Sequence, residues 1–169
     1  MTAEILVVVV FPALLALAAA WDFASYTIPN TLPVVFLAAF AAFAIAAGMP
    51  MHALGFHVLA GFLALALGFA LFAFGFIGGG DAKLVAAIVL WLGFQDLGSY
   101  ALIATVMGGG LTLALLALRR MPLPALLSGQ PWLLRLHDVR SGVPYGVALA
   151  AGALFILPQS EIFRIAANA

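Results

Sequence analysis

Acids are scarce in this chain, with 6 Asp and Glu in 169 residues, and two of them sit where chemistry is possible. Asp22 closes the first long apolar run and Asp81 opens the fourth. Two carboxylates brought together in a partly dry site cannot both ionise easily and share a proton. One can then take a proton from water while the other gives one to a carbonyl oxygen or a leaving amine, which is the chemistry of peptide hydrolysis. Other catalytic sets have little to work with. The absence of cysteine excludes thiolate nucleophiles, disulfides and Cys-based zinc sites. Ser25, Ser99, Ser128, Ser141 and Ser160 have no histidine in a recognisable arrangement. His57 lies inside the third apolar run, without a carboxylate or second histidine at matching depth, and reads as a hydrogen-bonded packing residue and not a metal ligand.

The elements that must position these acids are set by composition. The chain is 67% hydrophobic and 7% charged, whereas a soluble domain carries about a quarter charged residues. Lipid must therefore be its solvent, and the expected class is an all-α, polytopic membrane protein forming a single domain over 1–169. Apolar segments without polar alternation argue against a β-barrel, and a formal net charge of zero gives no sign of nucleic-acid binding. Apolar runs fall at 5–21, 32–47, 53–77, 84–95, 97–118 and 143–158, which suggests about six transmembrane helices. The fourth is too short: Leu84 to Phe94 makes about 17 Å of helix. To cross, it must begin near Gly80 or Asp81, which draws Asp81 to the membrane boundary. A re-entrant segment is the alternative.

Six spans fix an alternating topology. Lys83, Arg119, Arg120, Arg135 and Arg140 then share one side and Arg164 lies on the other, so the positive-inside rule makes the first side cytoplasmic and both termini external. Asp22, Asp81 and Asp138 fall on the cytoplasmic side; Glu4, Asp96, Glu161 and His52 fall outside. Asp138, between Arg135 and Arg140, is expected to be a solvated ion-pair partner, and His137 shares that loop. Ala18-Ala19-Ala20 resembles a signal-peptidase site, but Glu4 replaces the positive n-region, so an uncleaved first helix is expected.

Each acid also has a plain structural reading. Asp81 can cap a helix N-terminus, and Asp22 can simply end a span. Gly78-Gly79-Gly80 would admit unusual backbone conformations and close approach, or form an ordinary loop. Pro29 disfavours helix before it, and Asn30 or Thr31 can cap the second span. Lys83 reads as a snorkelling anchor, with steering of Asp81 as the alternative. Gly108-Gly109-Gly110 suggests close helix packing. The loop at 119–142 holds Pro122, Pro124, Gly129 and Pro131, with a short interfacial helix expected from Trp132 to Leu136.

These segments resemble the type IV prepilin leader peptidases. Asp22 followed by Thr27-Ile28-Pro29-Asn30 resembles that family's Asp and R-I-P-N segment, and Gly78-Gly79-Gly80-Asp81-Ala82-Lys83-Leu84 matches its G-x-G-D-x-K-L motif. Val143-Pro144-Tyr145-Gly146 is similar to the P-[YF]-G signature that opens the last span. The resemblance implies an intramembrane aspartyl endopeptidase, without cofactor or metal, that trims leaders from pilin precursors at the cytoplasmic face. Its catalytic acids map onto Asp22 and Asp81, and its supporting motif positions onto Gly78, Gly80, Lys83, Pro29, Asn30, Pro144 and Gly146. Thr27 stands where the family usually has Arg, and the long insert with Cys-x-x-Cys pairs is missing, which points to the short, CpaA/TadV-like branch serving Flp-type pili and away from N-methyltransferase activity.

Helix dipoles suggest that Asp81, at a helix N-terminus, is the resting anion and base, with Asp22, at a C-terminus, the acid; a coupled pair can reverse this. A presenilin-like protease would place both acids deep within their helices. A proton-coupled transporter subunit would also use paired membrane acids.

Overall fold

The computed structural model describes residues 1–122 and 130–169, and every element among them is helical. Helix α1 spans Thr2–Ser25, α2 Thr31–Ala46, α3 Met51–Ala73, α4 Gly79–Arg119, α5 Pro131–His137, α6 Tyr145–Ile156 and α7 Glu161–Ala167. The six apolar runs are mostly helical, with the fourth and fifth both inside α4. By length and composition, however, only α1, α3 and α4 qualify as membrane spans on their own. A fourth arises if Tyr145–Gln159 and Glu161–Ala167, bent by 47°, count as one. The short helix expected at Trp132 to Leu136 is α5; Pro124, Ser128 and Gly129 lie outside the described residues.

Two interruptions shape the long helices. Pro12 sits inside α1, where its ring removes one backbone hydrogen bond and presses on the carbonyl four residues back. The chain answers with a π-helical stretch at Leu6–Val10, just ahead of it. In α4 the break falls at Gly93 (φ 71°, ψ −172°), a conformation open essentially to glycine. Hydropathy placed this boundary at Asp96. The backbone breaks three residues earlier because Gly93 alone can turn there, and because the His57 ring packs where its Cβ would stand, at 3.0 Å. The His57 ring also meets the Leu90 carbonyl at 2.9 Å, covering an acceptor near the break. His57 is thus the buried, hydrogen-bonded packing residue that its position suggested, but the carboxylate expected to be missing at its depth is present: Glu161 Oε2 lies 3.9 Å from its Nε2.

The first arm of α4 is the centre of the bundle. Residues 86–93 are all buried, which explains why this apolar run is short and apolar on every side. Trp91 is fully buried, stacks on Phe11 at 4.5 Å and on Phe43 at 5.6 Å, and donates its indole N–H to the Phe36 carbonyl at 3.1 Å. Aromatic faces from α1, α2 and α4 therefore meet at one side chain, and α6 packs along α1 and α4.

The ionisable groups separate to two ends. Glu161 accepts from Gln95 at 3.0 Å, its backbone N–H meets Asp96 at 2.8 Å, and the first turn of α1 packs on α7. Asp22, Asp81 and residues 141–143 gather elsewhere, in one cleft.

Candidate active site

The cleft has a volume of about 490 Å³, and its walls come from residues 26–28, 78–81 and 141–143. Asp22 reaches it from the last turn of α1, and Asp81 from the first turn of α4. Both carboxylates line the cleft.

Asp22 is 5% exposed, so its carboxylate needs partners inside the protein. One comes from 124 residues downstream. Gly146 donates its N–H to Asp22 Oδ2 at 2.7 Å. It belongs to the first turn of α6, where four N–H groups have no partner within the helix. A side chain at Gly146 would put its Cβ 2.8 Å from Asp22 Oδ2, so this approach requires glycine. Pro144 occupies the cap position just before it.

Asp81 is not the helix cap. Gly78 holds that position, and Asp81, three residues on, turns back so that its carboxylate lies against Gly78. A Cβ on Gly78 would lie 2.9 Å from Asp81 Oδ2. The glycine run therefore provides proximity, and the unusual backbone expected of it is absent: none of Gly78, Gly79 and Gly80 has a positive φ. Gly79 packs on the Phe72 ring at 3.3 Å and Gly80 on Ile28 Cβ at 3.2 Å.

The dipole argument that split the roles does not survive this geometry. Asp22 is at the end of its own helix, but its carboxylate caps the N-terminus of another. Both acids stand at helix N-termini, so neither is singled out as the anion.

Lys83 is exposed and donates to Asn30 Oδ1 at 2.6 Å. Asn30 precedes α2 but makes no side-chain cap bond, because its oxygen is committed to Lys83. With the Ile28–Gly80 contact, this bond ties the segment containing Pro29 to the glycine turn. Asp138, expected to pair with arginine side chains, instead caps a 3₁₀ turn by accepting the Arg140 backbone N–H at 2.9 Å. Of the second glycine run, Gly108 packs against the Tyr145 ring, while Gly109 and Gly110 meet nothing within 4 Å.

Sequence reasoning missed two features. Tyr26 ends α1 in the left-handed region (φ 57°), the one non-glycine to do so among the described residues, and lines the cleft. Arg119 bonds two carbonyls across the 131–143 segment. An arginine closing a long apolar run was visible only as topology.

The model of the type IV leader peptidase family matches residues 9–113, more than half of the chain and both aspartates. The chain belongs to the type IV leader peptidase family. No curated protein and no solved structure matches it. A peptidase of this family acts on prepilin-type substrates, and the helices here give it a membrane setting. Residues 144–146 lie outside the matched region, so their link to the leader peptidase site rests on the Gly146–Asp22 bond.

Proposed function

We propose that this leader peptidase is an intramembrane aspartyl endopeptidase. It cleaves the leader from Flp/Tad-type prepilin precursors at the cytoplasmic face of the bacterial inner membrane, with both termini periplasmic. The reading rests on one observation above all: Asp22 and Asp81, from two separate motif segments, line the same cleft, Asp22 held by the N-terminal N–H of one helix and Asp81 standing in the first turn of another. A water between them loses a proton to one carboxylate as its oxygen attacks the peptide carbonyl after the leader's terminal Gly. The other carboxylate gives a proton to the carbonyl oxygen; the first then passes the water's proton to the amine nitrogen as the C–N bond breaks, and a hydroxyl of the tetrahedral carbon returns its proton to the second, which restores the singly protonated pair. No metal or organic cofactor takes part in this scheme.

Placement supports this over a presenilin-like site. Asp22 is three residues from the end of α1 and Asp81 is the third residue of α4, so neither lies deep within a span. An apolar groove of about 470 Å³ also runs from Ile77, beside the cleft, past Val85 and Val89 to Phe94. It suits the apolar segment of a precursor whose leader lies at the cleft. The basic residues Lys83, Arg119, Arg135 and Arg140, grouped near the same end, support a cytoplasmic orientation.

Co-expression with an Flp-type prepilin tests the reading. Wild type should yield mature pilin, and Asp22→Asn and Asp81→Asn should each leave the precursor intact. Processing by both variants would refute the dyad, and no processing by wild type would refute the substrate.

A further inference from the structure

The third wall of the cleft, residues 141–143, belongs to neither acid-bearing motif. It is the end of a small cap knitted by its own polar groups. The Ser141 hydroxyl bonds the carbonyls of Arg135 and Asp138, and Asp138 closes the 3₁₀ turn Val139–Ser141. Two contacts hold this cap to the bundle. Trp132 of α5 packs on Phe23, the neighbour of Asp22, with ring centroids 5.8 Å apart. Arg119, the last residue of α4, donates Nε–H to the Leu136 carbonyl at 2.8 Å and an Nη2–H to the Gly142 carbonyl at 2.6 Å.

These two hydrogen bonds from a single guanidinium fix the strap at the point where it enters the cleft. A planar fork suits the task because each N–H is aimed once the group is placed. Gly142 itself has φ 75° and ψ −153°, a region closed to other residues, so the strap changes direction there. The Val143 backbone N–H has no partner among the described residues, and both Gly142 and Val143 line the cleft. Three residues further on, the same strand of chain delivers Gly146 to Asp22. An unpaired backbone donor on the wall of a peptidase cleft matches a backbone acceptor of an extended peptide.

We propose that residues 141–143 are a substrate-binding strap that pairs with the extended backbone around the scissile bond, and that Arg119 is the positioning residue that sets it. The proposal rests on the peptidase reading above, and makes Arg119 act through the strap without touching the reacting atoms.

The test measures kcat and KM for an Flp-type prepilin, per mole of folded enzyme, in wild type, Arg119→Gln, Arg119→Lys, Gly142→Ala and Arg119→Gln/Gly142→Ala. Arg120→Gln serves as the neighbouring control. Misplacement on the ångström scale costs about 10²-fold, so Arg119→Gln should lose about 10- to 100-fold in kcat/KM. Arg119→Lys, which keeps the charge but not the fork, should lose nearly as much, and Arg120→Gln should stay within about twofold. Because Arg119 and Gly142 act through one strap, the double variant should be no worse than the poorer single variant. A Val143→Cys reporter, in a chain without other cysteines, should label several-fold faster with a water-soluble maleimide once Arg119 is Gln.

Wild-type turnover by folded Arg119→Gln, multiplicative losses in the double variant, or unchanged labelling would each overturn the strap while leaving the peptidase intact. A wild-type enzyme that cleaves no prepilin would overturn both readings.

Discussion

Gly146→Ala isolates the contact that holds Asp22. The Gly146 N–H lies 2.7 Å from Asp22 Oδ2, and an alanine methyl would stand 2.8 Å from that oxygen, 3.0 Å from Cγ and 3.1 Å from Cβ. Favourable carbon contacts begin near ~3.5 Å, so the carboxylate must retreat by somewhat under ~1 Å. That retreat breaks a hydrogen bond to a charged group worth ~1.5–3 kcal/mol. At ~1.36 kcal/mol per factor of ten, the loss corresponds to about 10- to 150-fold in rate. Displacement of a catalytic group by ~1 Å costs a similar factor, so two independent arguments agree. Helix propensity acts in the opposite sense, because alanine is preferred to glycine by ~1 kcal/mol within a helix. The assay follows conversion of purified prepilin to its mature form in detergent micelles, with thermal unfolding measured alongside. Wild-type turnover in Gly146→Ala at an unchanged Tm would refute the claim that this N–H fixes the carboxylate.

Trp91→Ala should destabilise the fold by ~3–5 kcal/mol, read as a fall in unfolding temperature in micelles, since Trp91 joins three helices through its ring and its indole N–H. Lys83→Ala and Asn30→Ala should each have small effects, because both side chains are exposed. A double-mutant cycle on cleavage rate should give a coupling of ~1 kcal/mol or less, and a larger one would assign Lys83 a part in the chemistry.

The acids were legible in the sequence because charge at the ends of apolar runs has few bland explanations, and the short fourth run fixed Asp81 near a helix start. What surrounds them was not. Spacing cannot announce that residue 146 will bond residue 22, and only the resemblance singled out Gly146 beforehand. The dipole assignment failed for the same reason: it used the helix that carries Asp22 and could not see the helix that meets it. The glycine run was read for conformational freedom, whereas what it provides is the absence of Cβ atoms beside Asp81, Phe72 and Ile28. Hydropathy located the break in α4 at Asp96, between the fourth and fifth apolar runs, but the backbone turns where His57 and Gly93 fit together.

The Gly146–Asp22 bond also has a bearing on biogenesis. Asp22 leaves the ribosome 124 residues before the N–H that will hold it. At ~5–20 residues per second, that is about 6–25 s during which the first helix carries an acid without its final partner. Only when the last long helix docks does the carboxylate acquire both its fixed orientation and its dry surroundings. Under the aspartyl reading proposed above, proteolytic competence would follow the docking of α6, and a nascent, half-inserted chain would have no formed site with which to cut its neighbours.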